Sequence, residues 1–422
     1  MFKSQTFDNG LRVVTAEMPH MESVSLGVWI NAGVRNEQKA TNGISHMLEH
    51  LVFKGTKKRD AVRLKQDIEG RGGSFNGFTA EEFTCYLVKV LAKDVELGMD
   101  VLSDMALNPL LKEYDIAKEK QVIIEEINMY RDMPSHYIHE LLTEILWPDH
   151  PLGLPLAGTV ESVSSISRKD LAGYQRLFYN PANMVVAAAG NADAGKIQEL
   201  SKKYFRAEKS CRHLPKPAAA FKTQSSPSAA IHYKKTEQTH VAIGIHAPHR
   251  FHPDRYVVSL LNVILGANMS SRLFQEVREK KALCYEIGSS VRRYQDAAAF
   301  VISAGVDYDK LVKSLEVILG ELKKIKKTPV GGNELTRAKE YYKGQLALAL
   351  EDTMSAMLWY GEKTATREKE FDVREIMNKI DSIDAGDISR VASSIFTDEN
   401  LNLAVIGPVE KKKRIEEALH IR

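Results

Sequence analysis

Two segments of this chain, half its length apart, follow one pattern. Residues 166–190 (ISRKDLAGYQRLFYNPANMVVAAAG) align without gaps with residues 383–407 (IDAGDISRVASSIFTDENLNLAVIG), at an offset of 217 positions (383 minus 166) in a chain of 422 residues. Each segment is typical of a capped helix followed by an apolar strand that ends at a glycine. An offset close to half the chain length indicates two copies of one fold, not a solenoid of short repeats. We therefore expect two homologous halves that arose by internal duplication.

A linker is predicted between the halves. Residues 214–228 (LPKPAAAFKTQSSPS) are rich in Pro, Ala and Ser, which is typical of a connecting segment. We predict an N-terminal domain over residues 1–213, this linker over 214–228, and a C-terminal homologous domain over 229–422. Long predicted helices separate the predicted strands, and some neighbouring strands form hairpins. This arrangement predicts an α+β fold built in layers.

The stretch from Thr41 to Thr56, TNGISHMLEHLVFKGT, predicts an amphipathic helix. A core-facing stripe has the spacing i, i+3, i+4, i+7 and i+8 and consists of Ile44, Met47, Leu48, Leu51 and Val52. His46, Glu49 and His50 fall on the opposite side of the helix. Two imidazoles one turn apart can bind one metal ion, and the carboxylate before the second can take a proton from metal-bound water. The H-x-x-E-H pattern is the inverted form of the H-E-x-x-H zinc motif.

The second half lacks this chemistry at the equivalent place. An alternating strand that contains Val241, Ile243 and Ile245 precedes a predicted helix over residues 256–265. That helix reads YVVSLLNVIL and carries no metal ligand. We therefore expect the N-terminal domain to bind the metal and to be the catalytic half.

A catalytic zinc site needs a third protein ligand besides the two histidines. A predicted helix over residues 113–130 offers Glu119, Glu125 and Glu126. Glu119 and Glu126 are seven positions apart and share one helix face, as a ligand and a supporting carboxylate would. Periodicity alone does not choose between this pair and Glu125.

Composition argues against several other classes of protein. The net charge is +3, from 58 basic and 55 acidic residues, so neither nucleic acid nor an anionic membrane is an expected partner. No run of 18 apolar residues is present, and the first ten residues lack the layout of a signal peptide. The few cysteines, Cys85, Cys211 and Cys284, suit a reducing compartment. A cytoplasmic enzyme is the expectation.

The chain resembles the pitrilysin-like zinc peptidases, a family that includes the catalytic subunit of mitochondrial processing peptidase and bacterial relatives of similar length to this chain. The resemblance covers nearly the whole chain. It rests on SVSLGVWINAGVRNE (23–37), HMLEHLVFKGT (46–56), GGSFNGFTAEEFTCYLV (72–88), EKQVIIEEINMYRDMP (119–134) and SSRLFQEVREKKALCY (270–285).

The resemblance implies roles for individual residues. It implies one zinc ion per chain, bound by His46, His50 and Glu126, with Glu49 as the catalytic base. Glu119 would be a further carboxylate of the catalytic site that supports the ligands. Asn76 would help to hold the substrate backbone, and Arg278 and Tyr285 would line the substrate chamber. Each half would be an α/β sandwich-like unit in which helices pack on an antiparallel-rich sheet.

The resemblance implies a zinc-dependent endopeptidase that cleaves short unfolded peptides or presequence-like segments in a closed chamber. The alternatives are a dedicated maturation peptidase for one partner peptide and a non-catalytic structural homologue. Family members of about twice this length combine a zinc half and an Arg/Tyr half in one chain. A chain of 422 residues that carries both features is therefore expected to form a homodimer around its peptide substrates.

Overall fold

The computed structural model describes residues 2–206, 214–220, 224–369, 372–409 and 412–421. Cys211, the last residues of the predicted N-terminal domain and residues 221–223 of the predicted linker lie outside this part of the chain. Two compact units are formed. The first consists of Met1–Asn128, Leu154–Ala218 and Ala347–Phe371, and the second of Met129–Gly153, Ala219–Leu346 and Asp372–Arg422.

The strands lie in two mixed, mainly antiparallel sheets, one in each unit. In chain order the strands are β1 (Phe2–Thr6), β2 (Arg12–Glu17), β3 (Ser23–Ile30), β4 (Ser74–Thr79), β5 (Thr84–Leu91), β6 (Met184–Gly190), β7 (Ser228–Tyr233), β8 (Thr239–His246), β9 (Cys284–Arg293), β10 (Ala298–Val306) and β11 (Leu401–Gly407).

Helices cover both sheets. In chain order they are α1 (Ile44–Val52), α2 (Ala61–Glu69), α3 (Val95–Leu107), α4 (Glu113–Asp132), α5 (Pro134–Leu146), α6 (Val160–Ser165), α7 (Arg168–Phe178), α8 (Ala194–Tyr204), α9 (Arg255–Leu265), α10 (Leu311–Lys327), α11 (Gly332–Ala349), α12 (Thr353–Ala365), α13 (Val373–Ser382), α14 (Ala385–Ile395) and α15 (Lys412–Glu417). In the part of the chain that the structure describes, no helix combines the length and the apolar character needed to span a membrane.

The order of the strands confirms the duplication. The first sheet has the order β1-β2-β6-β3-β5-β4, and the second has the order β7-β11-β8-β10-β9. Without β1, each position in the first sheet has its counterpart in the second. The repeated segments correspond residue by residue, because α7 and β6 shifted by 217 positions coincide with α14 and β11. The α+β class and the two homologous halves expected from the sequence are confirmed.

The first sheet is buried on both faces. Alternate residues of β3 point to opposite sides, so Leu26 and Val28 enter the core beneath α1 and α3, while Trp29 enters a second core beneath α12. The β4 strand lies at the edge of this sheet, next to β5. The α1 helix therefore lies on the face of the sheet that carries the larger core, next to the edge strand β4.

Each sheet is covered by a helix from the other half of the sequence. The α12 helix packs on β3, where an added Cβ at Gly27 would lie 2.4 Å from Sδ of Met357. The α5 helix packs on β8, where an added Cβ at Gly244 would lie 2.9 Å from Cδ1 of Leu146. These two glycines are 217 positions apart, so both halves use a glycine in the same strand position to admit the exchanged helix closely. The compact units are therefore discontinuous in sequence, while the domain limits at 213 and 229 stay a prediction.

Candidate metal centre

The α1 helix is shorter than the predicted stretch and begins at a specific cap. Gly43, with φ of +90°, precedes its first residue, and the buried carboxylate of Glu37 accepts hydrogen bonds from the backbone amides of Gly43 (2.7 Å) and Ser45 (2.9 Å). A carboxylate at this end of a helix satisfies free amides and interacts favourably with the helix dipole. Glu37 could not be identified from the sequence, because no capping pattern places an acid six positions before the amide of Gly43.

The two histidines and one glutamate bring their donor atoms around a common point. Oε2 of Glu126 lies 3.7 Å from Nε2 of His46 and 3.6 Å from Nε2 of His50. These separations are too long for hydrogen bonds. Zinc bonds of about 2.0–2.2 Å in a tetrahedron give edges of about 3.3–3.6 Å, close to the separations here. Among the described residues, this is the one group of three such side chains close enough to share a metal ion.

The structure brings Glu126, and not Glu125, to the histidines. Both belong to α4, but the Glu125 side chain is exposed, whereas Glu126 is half-buried beside α1. The orientation of α4 follows from its buried residues, Ile116, Ile123 and Ile127. Burial of these isoleucines turns Glu119 and Glu126 towards the histidines.

The Glu119 carboxylate connects His50 to Lys54. Nδ1–H of His50 donates a hydrogen bond of 3.1 Å to Oε2 of Glu119, and Nζ of Lys54 lies 2.7 Å from Oε1. Burial would raise the pKa of Glu119, but the hydrogen bonds from His50 and Lys54 outweigh burial and keep the pKa below its usual range. A carboxylate on Nδ1 fixes the imidazole tautomer that leaves Nε2 free to bind a metal. The donor set and its support therefore fit zinc.

The two histidines differ in their electrostatic surroundings. Burial, with a contribution from His50, lowers the pKa of His46 to about 3. Burial also disfavours the charged form of His50, but the hydrogen bond to Glu119 and the charges of Glu126 and Glu49 raise the pKa of His50 above its ordinary value. His46 is 7% exposed, so the motif is not a solvent-facing patch on a surface helix.

Glu49 lies on the same helix, next to the edge strand. Its Oε2 accepts a hydrogen bond of 2.6 Å from the hydroxyl of Thr79, the last residue of β4. Burial raises the pKa of Glu49 above its ordinary value, although the hydrogen bond from Thr79 opposes this effect. Thr79 could not be identified from the sequence, because a contact between residues 49 and 79 leaves no local pattern.

Asn76 lies on the edge strand, outside the group of candidate metal ligands. Its Oδ1 accepts a hydrogen bond of 2.9 Å from the backbone amide of Gly77. Alternation along β4 puts its exposed side chain on the face of Phe78, whereas Thr79 reaches Glu49 on the other face. The role expected for Asn76 towards a substrate stays a prediction.

Arg278 and Tyr285 belong to the second unit and contact each other there. Arg278 lies in a π-helical segment, Phe274–Glu279, and its guanidinium group lies 4.6 Å from the ring centre of Phe274 and 5.3 Å from that of Tyr285. Tyr285 is 77% exposed and is therefore not a core residue. Aromatic rings on a guanidinium group hold it in a defined orientation by cation–π attraction.

Comparison with known proteins matches both halves of the chain to one family. Residues 12–160 match the model described as "Insulinase (Peptidase family M16)" and residues 165–342 match "Peptidase M16 inactive domain". The first segment contains the histidines of α1 and Glu126. The second label agrees with a half that carries no H-x-x-E-H motif.

Individual relatives are similar over almost their full length. The chain is 36% identical over 410 residues to YmxG of Bacillus subtilis, which is described as an uncharacterized zinc protease. The aligned residues cover 97% of this chain and 98% of that protein. The solved structure of a protease from Helicobacter pylori superimposes with a TM-score of 0.91 over 97% of this chain and 100% of that one. The two sequences are 26% identical.

A "peptidase M16 inactive domain" from Pseudomonas fluorescens shares the fold, with a TM-score of 0.89, 18% identity and coverage of 97% of this chain and 98% of that one. Since the family models and the full-length relatives agree, the resemblance to the pitrilysin-like peptidases is confirmed. The chain therefore belongs to the insulinase family of metallopeptidases, peptidase family M16.

Proposed function

We propose that this protein is a zinc-dependent endopeptidase that cleaves short unfolded peptides or presequence-like segments inside a closed chamber. The observation that carries this proposal is the arrangement of candidate ligands on α1 and α4. Imidazole nitrogens of His46 and His50 and the carboxylate of Glu126 surround one point. Glu49 lies on α1, the helix that carries the two histidines. An intact set of donors argues against a purely structural homologue, which would have no need of it.

His46, His50 and Glu126 would hold the zinc ion. When bound, zinc lowers the pKa of water and polarises a carbonyl group. Glu49 would take the proton from the attacking water and deliver it to the leaving amine. Its raised pKa suits this exchange, because a general base works best when its pKa lies near the operating pH. Glu119 would keep His50 in the tautomer that offers Nε2.

An extended peptide would bind to β4 as an additional strand. This strand is the edge of its sheet and lies beside α1. Backbone pairing recognises a peptide with little dependence on its sequence, and so suits unfolded substrates. In this proposal Asn76 holds the peptide backbone at the same edge.

The second unit would supply Arg278 and Tyr285 to the substrate chamber. Their mutual contact gives a cation and an aromatic ring in one place, which could bind a peptide carboxylate or carbonyl. We propose a homodimer, in which a second copy of the chain completes the chamber. Peptides and this second copy are the partners that the proposal requires, and neither nucleic acid nor a membrane has a part in it.

We also propose a cytoplasmic location. Cys85 and Cys284 are free thiols, which suits a reducing compartment. Fractionation of cells that produce the tagged full-length protein would test this part of the proposal.

The decisive experiment combines metal analysis with a peptidase assay. We expect purified protein to contain zinc, to cleave unrelated unstructured peptides, to lose activity with a chelator and to regain it with zinc. A folded protein of similar composition should stay intact as the control substrate. Cleavage of one peptide among many would favour the dedicated maturation peptidase. A zinc-loaded protein that cleaves none of the peptides would contradict the proposed endopeptidase of unfolded peptides.

A further inference from the structure

The edge strand β4 and the base Glu49 meet at Thr79. On the basis of the proposed function, we propose that Thr79 is a positioning residue through which peptide binding along β4 orients Glu49. The hydroxyl of Thr79 lies 2.6 Å from Oε2 of Glu49, and Thr79 is buried. A short hydrogen bond to a partly buried carboxylate fixes the direction in which that carboxylate points.

The hydrogen-bond pattern of the hairpin shows which backbone groups face the free edge of β4. The amide of Ala80 bonds to the carbonyl of Phe83, 2.8 Å away, beside the pair Thr79 and Thr84. In an antiparallel ladder hydrogen-bonded and non-hydrogen-bonded pairs alternate. The amides and carbonyls of Phe75, Gly77 and Thr79 therefore point away from β5, towards an incoming strand.

Two further observations agree with this direction. The outward amide of Gly77 bonds to the side chain of Asn76 and not to β5. The backbone amide of Thr79 also donates a hydrogen bond to Glu49, so this amide too faces away from the sheet. The Glu49 carboxylate thus occupies the outward amide of Thr79, and the outward groups of Phe75 and the carbonyl of Gly77 remain for a peptide.

The stem of Glu49 packs directly on the same strand. A Cβ added at Gly77 would lie only 3.3 Å from Cγ of Glu49 and 3.3 Å from the ring of Phe53. The absence of a side chain at Gly77 therefore lets the stem of Glu49 lie close against the backbone of β4. A peptide that pairs with Phe75 and Gly77 makes the strand more rigid next to the hydroxyl that holds the base. Substrate binding and the position of the base are coupled through one residue.

The test compares three variants of the zinc-loaded enzyme. Thr79→Val keeps the shape but lacks the hydroxyl, and we expect kcat to fall by about 10- to 100-fold, as for a misplaced catalytic group. KM should change by less than about threefold, because the peptide does not contact the hydroxyl. Thr79→Ser should restore kcat to within about threefold of wild type.

Thr84→Val is the matched control, since Thr84 lies opposite Thr79 in the register and its hydroxyl bonds to the carbonyl of Ala32. This variant should keep kcat near that of wild type. Zinc content and thermal unfolding, measured on each preparation, identify any variant that has lost its metal or its fold.

A second readout does not depend on catalysis. Binding of a fluorescent unstructured peptide to chelator-treated protein should be the same for wild type and Thr79→Val within about twofold. Thr79→Val with wild-type kcat, Thr79→Ser as slow as Thr79→Val, or equal losses of peptide affinity and kcat would each overturn the inference. A wild-type enzyme that carries zinc but cleaves no peptide would instead contradict the proposed function, so the two failures are distinguishable.

Discussion

Oε2 of Glu119 lies 3.1 Å from Nδ1 of His50, on the side of the imidazole opposite the Nε2 atom that faces Glu126. The imidazole ring of His50 thus connects the Glu119 carboxylate to the candidate metal ligands. The second oxygen of Glu119 is bound by Lys54, so both oxygens of the carboxylate are engaged. This arrangement makes the metal affinity sensitive to a residue that does not face the metal position.

Glu119→Gln should therefore weaken zinc binding by about 10- to 100-fold, as the loss of such supporting carboxylates typically does. Competition with a chelating dye on metal-free protein measures the change. Glu113→Gln, in the exposed first turn of the same helix, is the control and should leave the affinity unchanged. An affinity within about twofold of wild type for Glu119→Gln would remove this role.

Adjacent glutamates on α4 provide a sharp test of the third ligand. Glu126→Gln should lose stoichiometric zinc, because an amide is a much poorer ligand than a carboxylate. Glu125→Gln should keep its zinc, since that side chain is exposed and points away from the histidines. Metal analysis of both purified variants decides the matter. The reverse result would shift the ligand by one position.

Glu49→Gln should keep its zinc and its fold and lose peptidase activity by about 10²- to 10⁴-fold, the usual contribution of a general base. The physical reason is that the amide cannot take a proton from water. Zinc content, thermal unfolding and rate should be measured on one preparation. Activity above about a tenth of wild type would exclude Glu49 as the base.

The stability of metal-free protein should depend on pH through His46. Burial lowers the pKa of His46 to about 3 in the folded protein, whereas an unperturbed histidine titrates near 6.5. Between these values the unfolded chain binds a proton that the folded chain does not, so the free energy of unfolding falls as the pH falls. Between pH 6 and pH 5, protonation of His46 in the unfolded chain should lower the free energy of unfolding by about 1 kcal/mol.

Urea unfolding with excess chelator measures this effect. The control is the His46→Gln variant, which lacks the titrating group. Its free energy of unfolding should fall by about 1 kcal/mol less than that of wild type between pH 6 and pH 5. Equal pH dependence in the two proteins would show that His46 does not titrate as its burial requires.

The proposed homodimer predicts that Arg278 and Tyr285 of one chain serve the zinc site of its partner. A mixed dimer of a Glu49→Gln chain and an Arg278→Ala chain tests this, since each variant should be nearly inactive as a homodimer. If the residues act across the dimer, both lesions fall in one site and the other site is intact. Mixing should then restore up to about half of wild-type activity.

If the residues act within one chain, each site of the mixed dimer carries one lesion and mixing restores nothing. A Phe251→Ala chain offers a control, because Phe251 is exposed in the second unit and has no place in the proposed mechanism. A fully active monomer in dilute solution would contradict the dimer before any mixing.

Several features could be predicted from the sequence because they depend on local periodicity. The pitch of one helix puts His46, Glu49 and His50 on one face, whatever the rest of the chain does. The repeat at residues 166–190 and 383–407 predicted two copies of one fold, and the matching strand orders confirm it. The resemblance placed the chain in its family through motifs of the same local kind.

Contacts between distant segments were decided only by the tertiary structure. Burial of Ile116, Ile123 and Ile127 sets the rotation of α4, and this rotation brings Glu126 to the histidines and leaves Glu125 in solvent. Periodicity shows that α5 and α12 each have an apolar face, but not which sheet covers it; glycines in β3 and β8 admit the helix from the other half. Glu37 and Thr79 reach α1 across loops and a strand edge, and such long-range contacts depend on packing of the whole unit.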